Sequence, residues 1–253
     1  MVKRVIINAD DFGLTEANTI GILSAHANGV LTSATCMMNM PYASLALQQA
    51  SKYPNLGIGI HLTLTVGKPL LDSGKSFTDE NGYFKRPSSY PDRQPHANHD
   101  ELYKEWKAQL EKFIKIAGKK PTHIDSHHHV HMLPWHIDVA MKLAKEYDIP
   151  MRQRNHVLNT YEYVRVDERF YEEGVTLQTI KDIINNSDEE VIEIMNHVGF
   201  LDQQLYDMSS YNMPRIKELQ IIQSEELKQF IKDNDIKLIH FGHIKKIAYE
   251  VNP

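Results

Sequence analysis

The sequence predicts a single α/β domain, an irregular (β/α) barrel of mostly parallel strands with one inserted lid loop. Three observations predict it. Short β-branched or apolar runs alternate with stretches of ten or more residues of helical character, the signature of βαβ units on a parallel sheet. About seven such units fit into 253 residues, the usual length of a (β/α) barrel. Hydrophobic residues make up 42% and charged residues 24%, ordinary values for a chain that buries a large core. An open doubly wound sheet is the alternative arrangement of the same units.

Taken in order, residues 5–9 (VIINA) read as a buried strand that breaks at Asp10-Asp11-Phe12-Gly13. Thr15 caps a helix over 16–28, which Gly29 ends. A strand over 31–38, a helix over 42–51 and a strand over 57–65 (GIGIHLTLT, carrying His61) follow. Residues 72–99 interrupt this rhythm with Gly, Pro, Ser and Asp, and Asn81-Gly82 predicts a hairpin tip. A long irregular insertion in a compact domain is read here as a lid. A helix over 100–117 stops at Gly118, and a strand over 122–131 runs into a cluster of histidines. Pro134 opens a helix to residue 147, and 150–154 form a short strand. Residues 155–175 give no clear pattern. Beyond them lie a helix over 176–185, a strand over 191–197, a helix over 209–232 with Pro214 near its start, and a strand over 236–241. No repeat or low-complexity tract divides the chain, so residues 1–253 are read as one domain.

Composition excludes several function classes. The formal charge is -5, and the densest basic run is Lys119-Lys120, so no nucleic-acid footprint is present. No apolar run of about 18 residues exists to span a membrane. The N-terminus has no signal-peptide pattern, and one cysteine, Cys36, excludes an intrachain disulfide. Together these fit a cytoplasmic protein. The unusual count is 14 histidines, since histidine is both the commonest metal ligand and the usual acid–base group near neutral pH.

Four constellations carry chemistry. Asp10 and Asp11 stand at the carboxyl end of a buried strand, where parallel α/β folds gather their sites. A turn with a capping Asp is the plain alternative. His61, inside an apolar strand, reads alone as a hydrogen-bonded core residue. Asp125-Ser126-His127-His128-His129-Val130-His131 resists a plain reading. In an extended chain its period of two puts Asp125, His127, His129 and His131 on one face, a polar load that needs a ligand to organise it. His197 ends another strand and suits a general acid. Arg152 and Arg154 close a short strand, as an anion clamp or as surface ion-pair partners. His240 and His243 are read as structural, and Met37, Met38 and Met40 as core filling.

Joined together, NADDFG (8–13), GIHLTLTVGKPL (59–70), PTHIDSHHHVHMLP (121–134) and EIMNHVGF (193–200) resemble the YdjC-like carbohydrate deacetylases, which include chitooligosaccharide deacetylases. The motifs span about three quarters of the chain in the expected order. The resemblance implies an irregular (β/α) barrel and hydrolysis of an N-acetyl group on an amino sugar or chitooligosaccharide. It implies one divalent ion on Asp11, His61 and His127, with Asp10 as the base. His197 or His129 is expected to protonate the departing amine, and Asp125, His129, His131 and Arg152 are expected around the ion or the substrate. Magnesium is the family's usual ion, whereas two imidazoles suit zinc or another transition metal better. Phe77, Tyr83 and Phe84 in the lid are expected to stack on sugar rings. The expected partner is a small acetylated sugar, with no nucleic acid and no membrane, and a homodimer is a family expectation. A metal-dependent phosphoesterase on a barrel and a non-catalytic sugar-binding protein are the rival readings.

Overall fold

In the computed structural model, which describes residues 3–247 except Asn159, β1 (Arg4–Phe12) is the central stave. The outermost residues of the 1–253 domain reading lie outside the described ones. The chain continues through α1 (Glu16–Asn28), β2 (Ser33–Cys36), α2 (Ala43–Ala50), β3 (Gly57–Leu62), α3 (His99–Ala117), β4 (Ile124–Ser126) and α4 (Ile137–Tyr147). It then forms β5 (Arg165–Asp167), α5 (Leu177–Asn186), β6 (Val191–Asn196), α6 (Gln203–Met208), α7 (Met213–Ile222), α8 (Glu225–Asp233) and β7 (Lys237–Leu238).

The strands run parallel in the order β4-β3-β2-β1-β6-β5, with β7 beside the first residues of β1. Single parallel bridges, Ile124 with Met151 and Gln153 with Arg165, carry the sheet round from β4 to β5 through residues 151–153. The result is the predicted α/β architecture, a curled parallel sheet surrounded by helices. β1, β2, β3 and β6 are buried along almost their whole length, as strands are when helices cover one face and barrel side chains the other.

Local chemistry sets the helix ends. The Thr15, Thr176 and Ser224 side chains accept backbone N–H bonds at the starts of α1, α5 and α8. Asn98 does the same for α3, and Gly118 closes that helix in the left-handed region at φ 68°. Gly21 on α1 has a different reason: a Cβ there would lie 2.1 Å from the backbone nitrogen of Phe200. Only glycine lets α1 press against the chain leaving β6.

The structure corrects several sequence expectations. The strand over 122–131 is only β4, because a 3-10 turn takes over at His127 and His128 and His129 are left-handed (φ 56° and 52°). The single-face alternation of Asp125, His127, His129 and His131 therefore does not occur. The helix over 209–232 is two helices, since Ser224 turns its hydroxyl onto the Leu227 N–H and starts α8 afresh. The helix after Pro134 begins only at Ile137, and the pattern-free stretch before α5 contains β5. In the 72–99 insertion the hairpin tip forms: Thr78 bridges Phe84, and Gly82 is left-handed at φ 74°. Phe77 and Phe84, however, are buried and pack on each other, so of the three aromatics only Tyr83 is exposed.

Candidate metal centre and active site

The two adjacent carboxylates reach one cavity because β1 is bulged. Against β2, Ala9 pairs Ala34 and Phe12 pairs Cys36, so three steps on β1 match two on β2. Asp11 takes a left-handed backbone, φ 66°, at a cost of about 1–3 kcal/mol. In a regular strand Asp10 and Asp11 would face opposite sides. The bulge re-aims them.

Asp11, His61 and His127 place one donor atom each within 4.8 Å of one another. Asp11 Oδ1 lies 3.0 Å from His127 Nδ1 and 3.5 Å from His61 Nε2. Donors bound to one ion at about 2.0–2.2 Å stand roughly 3–3.5 Å apart, so the residues fit a divalent ion. His61 is aimed by its neighbour in register: its Nδ1 is 2.7 Å from Asp125 Oδ1. Thr35 on β2 donates to the other Asp125 oxygen at 2.9 Å. A carboxylate behind a histidine in this way fixes the tautomer that leaves Nε2 free for an ion. Burial opposes a proton on His61, but Asp125, Asp10 and Asp11 outweigh it and raise its pKa to about 9. The site attracts a cation, whether proton or metal.

Asp10 belongs to a buried network round Arg152, which the sequence reading treated as a surface partner or anion clamp. Its side chain is fully buried and donates to Asp10 Oδ2 at 2.8 Å, to Asp10 Oδ1 at 2.6 Å and to Glu193 Oε1 at 2.9 and 2.7 Å. Asp125 Oδ2 stands 3.0 Å away. Burial alone would raise Asp10, but the guanidinium holds it well below the usual carboxylate range. For Glu193 burial wins and pushes the carboxyl up to about 7. Arg154, by contrast, is exposed and pairs with Glu168.

The histidine run fans out. His127 turns to Asp11, and His128 Nδ1 lies 3.0 Å from Thr65 Oγ1. His129 Nε2 faces Glu168 at 3.4 Å. His131 is packed in the core between Ser126 and the Arg152 carbonyl. Two successive left-handed residues produce this divergence. His197 follows β6, its ring next to Tyr171 and Tyr211 (centroids at 5.5 and 5.2 Å). Burial lowers its pKa to about 4. His240 and His243 bond to each other's turn away from these residues.

Asp10, Asp11, His61, His127, His129 and His197 line one cavity of about 1190 Å³. The insertion supplies Asp79 and 83–89 to its wall. Several residues here had no role in the sequence reading: Glu193, Tyr171, Tyr211, Arg215 and Glu218. Glu193 had a legible signal, a carboxylate inside the apolar run VIEIM that must find a buried partner. The others come from α7 and the loops, where no local pattern marks them.

The buried titratable groups predict a bell-shaped stability profile for the metal-free protein. His131, His136 and His197 are held at about 3, 4 and 4 by burial. Below pH 6.5 the unfolded chain binds protons that they do not, so stability is lost as pH falls from 6.5 toward 4. Glu193 and Glu218, pushed up by burial to about 7 and 8, act oppositely: the unfolded chain ionises first, and stability is lost as pH rises from 4.5 to 8. His61 adds a loss between 6.5 and 9. Thermal melts from pH 4 to 9 should peak near pH 6–7. A monotonic rise to pH 9 would contradict these assignments.

A model of the family described as YdjC-like protein matches residues 4–233. A carbohydrate deacetylase of Brevibacillus brevis is 39% identical over 250 residues, covering 95% of this chain and 99% of the relative. A solved structure from Enterococcus faecalis V583, a candidate cellobiose-phosphate cleavage protein, is 37% identical with a TM-score of 0.87, covering 95% and 98% of the two chains. The catalytic domain of a peptidoglycan N-acetylglucosamine deacetylase from Eubacterium rectale shares the fold at 10% identity and TM-score 0.51, covering 100% and 95%.

Proposed function

The chain belongs to the YdjC-like protein family, and from that premise we propose that it is a metal-dependent deacetylase of an N-acetylated amino sugar or chitooligosaccharide. The observation that carries the reading is the convergence of Asp11, His61 and His127 on one point beside Asp10. A divalent ion held there supplies Lewis acidity, polarising the acetamide carbonyl and making water a better nucleophile. The donor set favours zinc, manganese, cobalt or iron over magnesium.

Asp10 is the general base. Its Oδ1 accepts from Asn8 and Arg152, whereas Oδ2 accepts, among the described residues, from Arg152 alone. The free lone pair on Oδ2 is the place for the proton of the attacking water. Arg152 keeps the group ionised and fixes its plane. Asp10 hands that proton on to His197, which lines the same cavity and rests neutral, and His197 passes it to the departing amine. The proton lost by water thus leaves on nitrogen, and acetate keeps the new C–O bond. The insertion acts as the lid, and Tyr83 and Tyr171, 48% and 37% exposed, offer faces for sugar rings. Replacing either by Ala should raise KM about 2- to 10-fold with kcat little changed.

A phosphoesterase built on two metals finds less support. Asp10 and Asp125, the carboxylates for a second ion, already share the buried cation Arg152. The test is acetate release from N,N′-diacetylchitobiose and from its phosphorylated form, with the divalent ion stripped by chelator and then restored. Metal-dependent acetate release is the expected result. Phosphate in place of acetate, or no acetate from any acetylated amino sugar, would sink the reading.

A further inference from the structure

The two oxygens of Asp11 have different partners. Oδ1 faces the imidazoles, 3.0 Å from His127 and 3.5 Å from His61. Oδ2 accepts from Arg215 Nη2 at 2.8 Å. Arg215 is itself held on its other sides: Nε donates to the Tyr211 carbonyl at 2.7 Å and Nη1 to the His197 carbonyl at 3.3 Å. One turn further along α7, buried Glu218 accepts from the His197 N–H at 2.6 Å and from the Tyr211 hydroxyl. Helix α7 therefore holds the N–H and the carbonyl of His197 and one oxygen of Asp11.

We propose that Arg215 is a positioning residue that reserves Asp11 Oδ2, limiting Asp11 to one-oxygen coordination and tying it to the His197 backbone. The inference rests on Asp11, His61 and His127 being the ligands. A carboxylate with both oxygens free can bind an ion through one or both, and a second bound oxygen takes a position that water or substrate needs. Arg215 removes that choice with a directed N–H bond. The planar fork matters as well as the charge: a lysine is a point charge without fixed directions. Glu218 and Tyr211 serve the same end by fixing the chain on which the guanidinium leans.

Cobalt(II) reports the difference without turnover, because its visible d–d bands weaken as coordination number rises. Wild type, Arg215→Gln, Arg215→Lys and His61→Ala are each titrated with Co(II), and their thermal melts are recorded. Arg215→Gln should lose visible intensity relative to wild type, with Arg215→Lys between them. In turnover, Arg215→Gln should lose about 10- to 100-fold in kcat, with KM little changed. If Arg215→Gln does not fold, the Arg215→Lys spectrum decides by the same criterion. A variant that melts lower yet keeps the wild-type Co(II) spectrum has lost only packing, which overturns the proposal. If wild type takes up no Co(II), or His61→Ala keeps it, the ligand set itself falls and this inference with it. If wild type binds and His61→Ala does not, an unchanged Arg215 spectrum overturns the role of Arg215 alone.

Discussion

Asp10→Asn should lower kcat about 10²–10⁴-fold, the usual contribution of a positioned general base, and leave KM nearly unchanged. The change is nearly isosteric, so cavity shape survives. What disappears is the acceptor at Oδ2, the one Asp10 oxygen with a single hydrogen-bond partner among the described residues. The ion should remain, because Asp11, His61 and His127 are untouched. Metal analysis of the purified variant separates the two effects: bound metal with lost turnover supports Asp10 as the base. Full turnover with metal bound would remove Asp10 from that role. The amide must also present an N–H toward the Arg152 guanidinium, so a modest stability loss should accompany the kinetic one.

Arg152→Met should destabilise the fold by about 3–5 kcal/mol, because it breaks a buried ion network by removing one partner. Asp10, Asp125 and Glu193 all lean on this guanidinium, and every one of them is buried. Methionine fills much of the volume but returns no donor, and the carboxylates are left to repel one another at low dielectric. For a chain of this length the melting temperature should fall by roughly 6–20 °C. The deficit should shrink as pH falls toward about 7, because without Arg152 the buried Glu193 carboxyl, at about 7 even beside that guanidinium, takes up its proton at higher pH than in wild type and one repelling charge is gone. Arg152→Lys should recover only part, since an ammonium cannot bridge three carboxylates with fixed geometry. A melting temperature for Arg152→Met within about 2 °C of wild type would show that the network contributes little to stability.

The course of the chain was legible to different depths in different places. The strands expected over 5–9, 57–65 and 191–197 are apolar runs with turn residues after them, and each forms with shifted ends, as Arg4–Phe12, Gly57–Leu62 and Val191–Asn196. The caps at Thr15 and Gly118 are local hydrogen-bond chemistry and behave as local chemistry should. The strand over 122–131 fails because the period-two argument assumes an extended backbone. His128 and His129 are left-handed instead, a conformation that tertiary contacts impose and that sequence pattern does not announce. β5 was missed because three residues are too few to carry a period.

The sequence by itself determined the family, the parallel α/β architecture and the residue types on hand for a metal centre. Hydrophobic period and motif order are properties of neighbouring residues, so they can be read along the chain. Tertiary structure alone decided which groups meet. The bulge at Asp10-Asp11 turns two neighbouring carboxylates to one side, and Arg152 travels from a short stave into the centre of the barrel. Arg215 and Glu218 reach the site from a helix late in the chain, and Arg215 meets Asp11 across 204 residues of sequence. Hydrogen bonds and ion pairs act over a few ångströms of space, and separation along the chain leaves no trace of them.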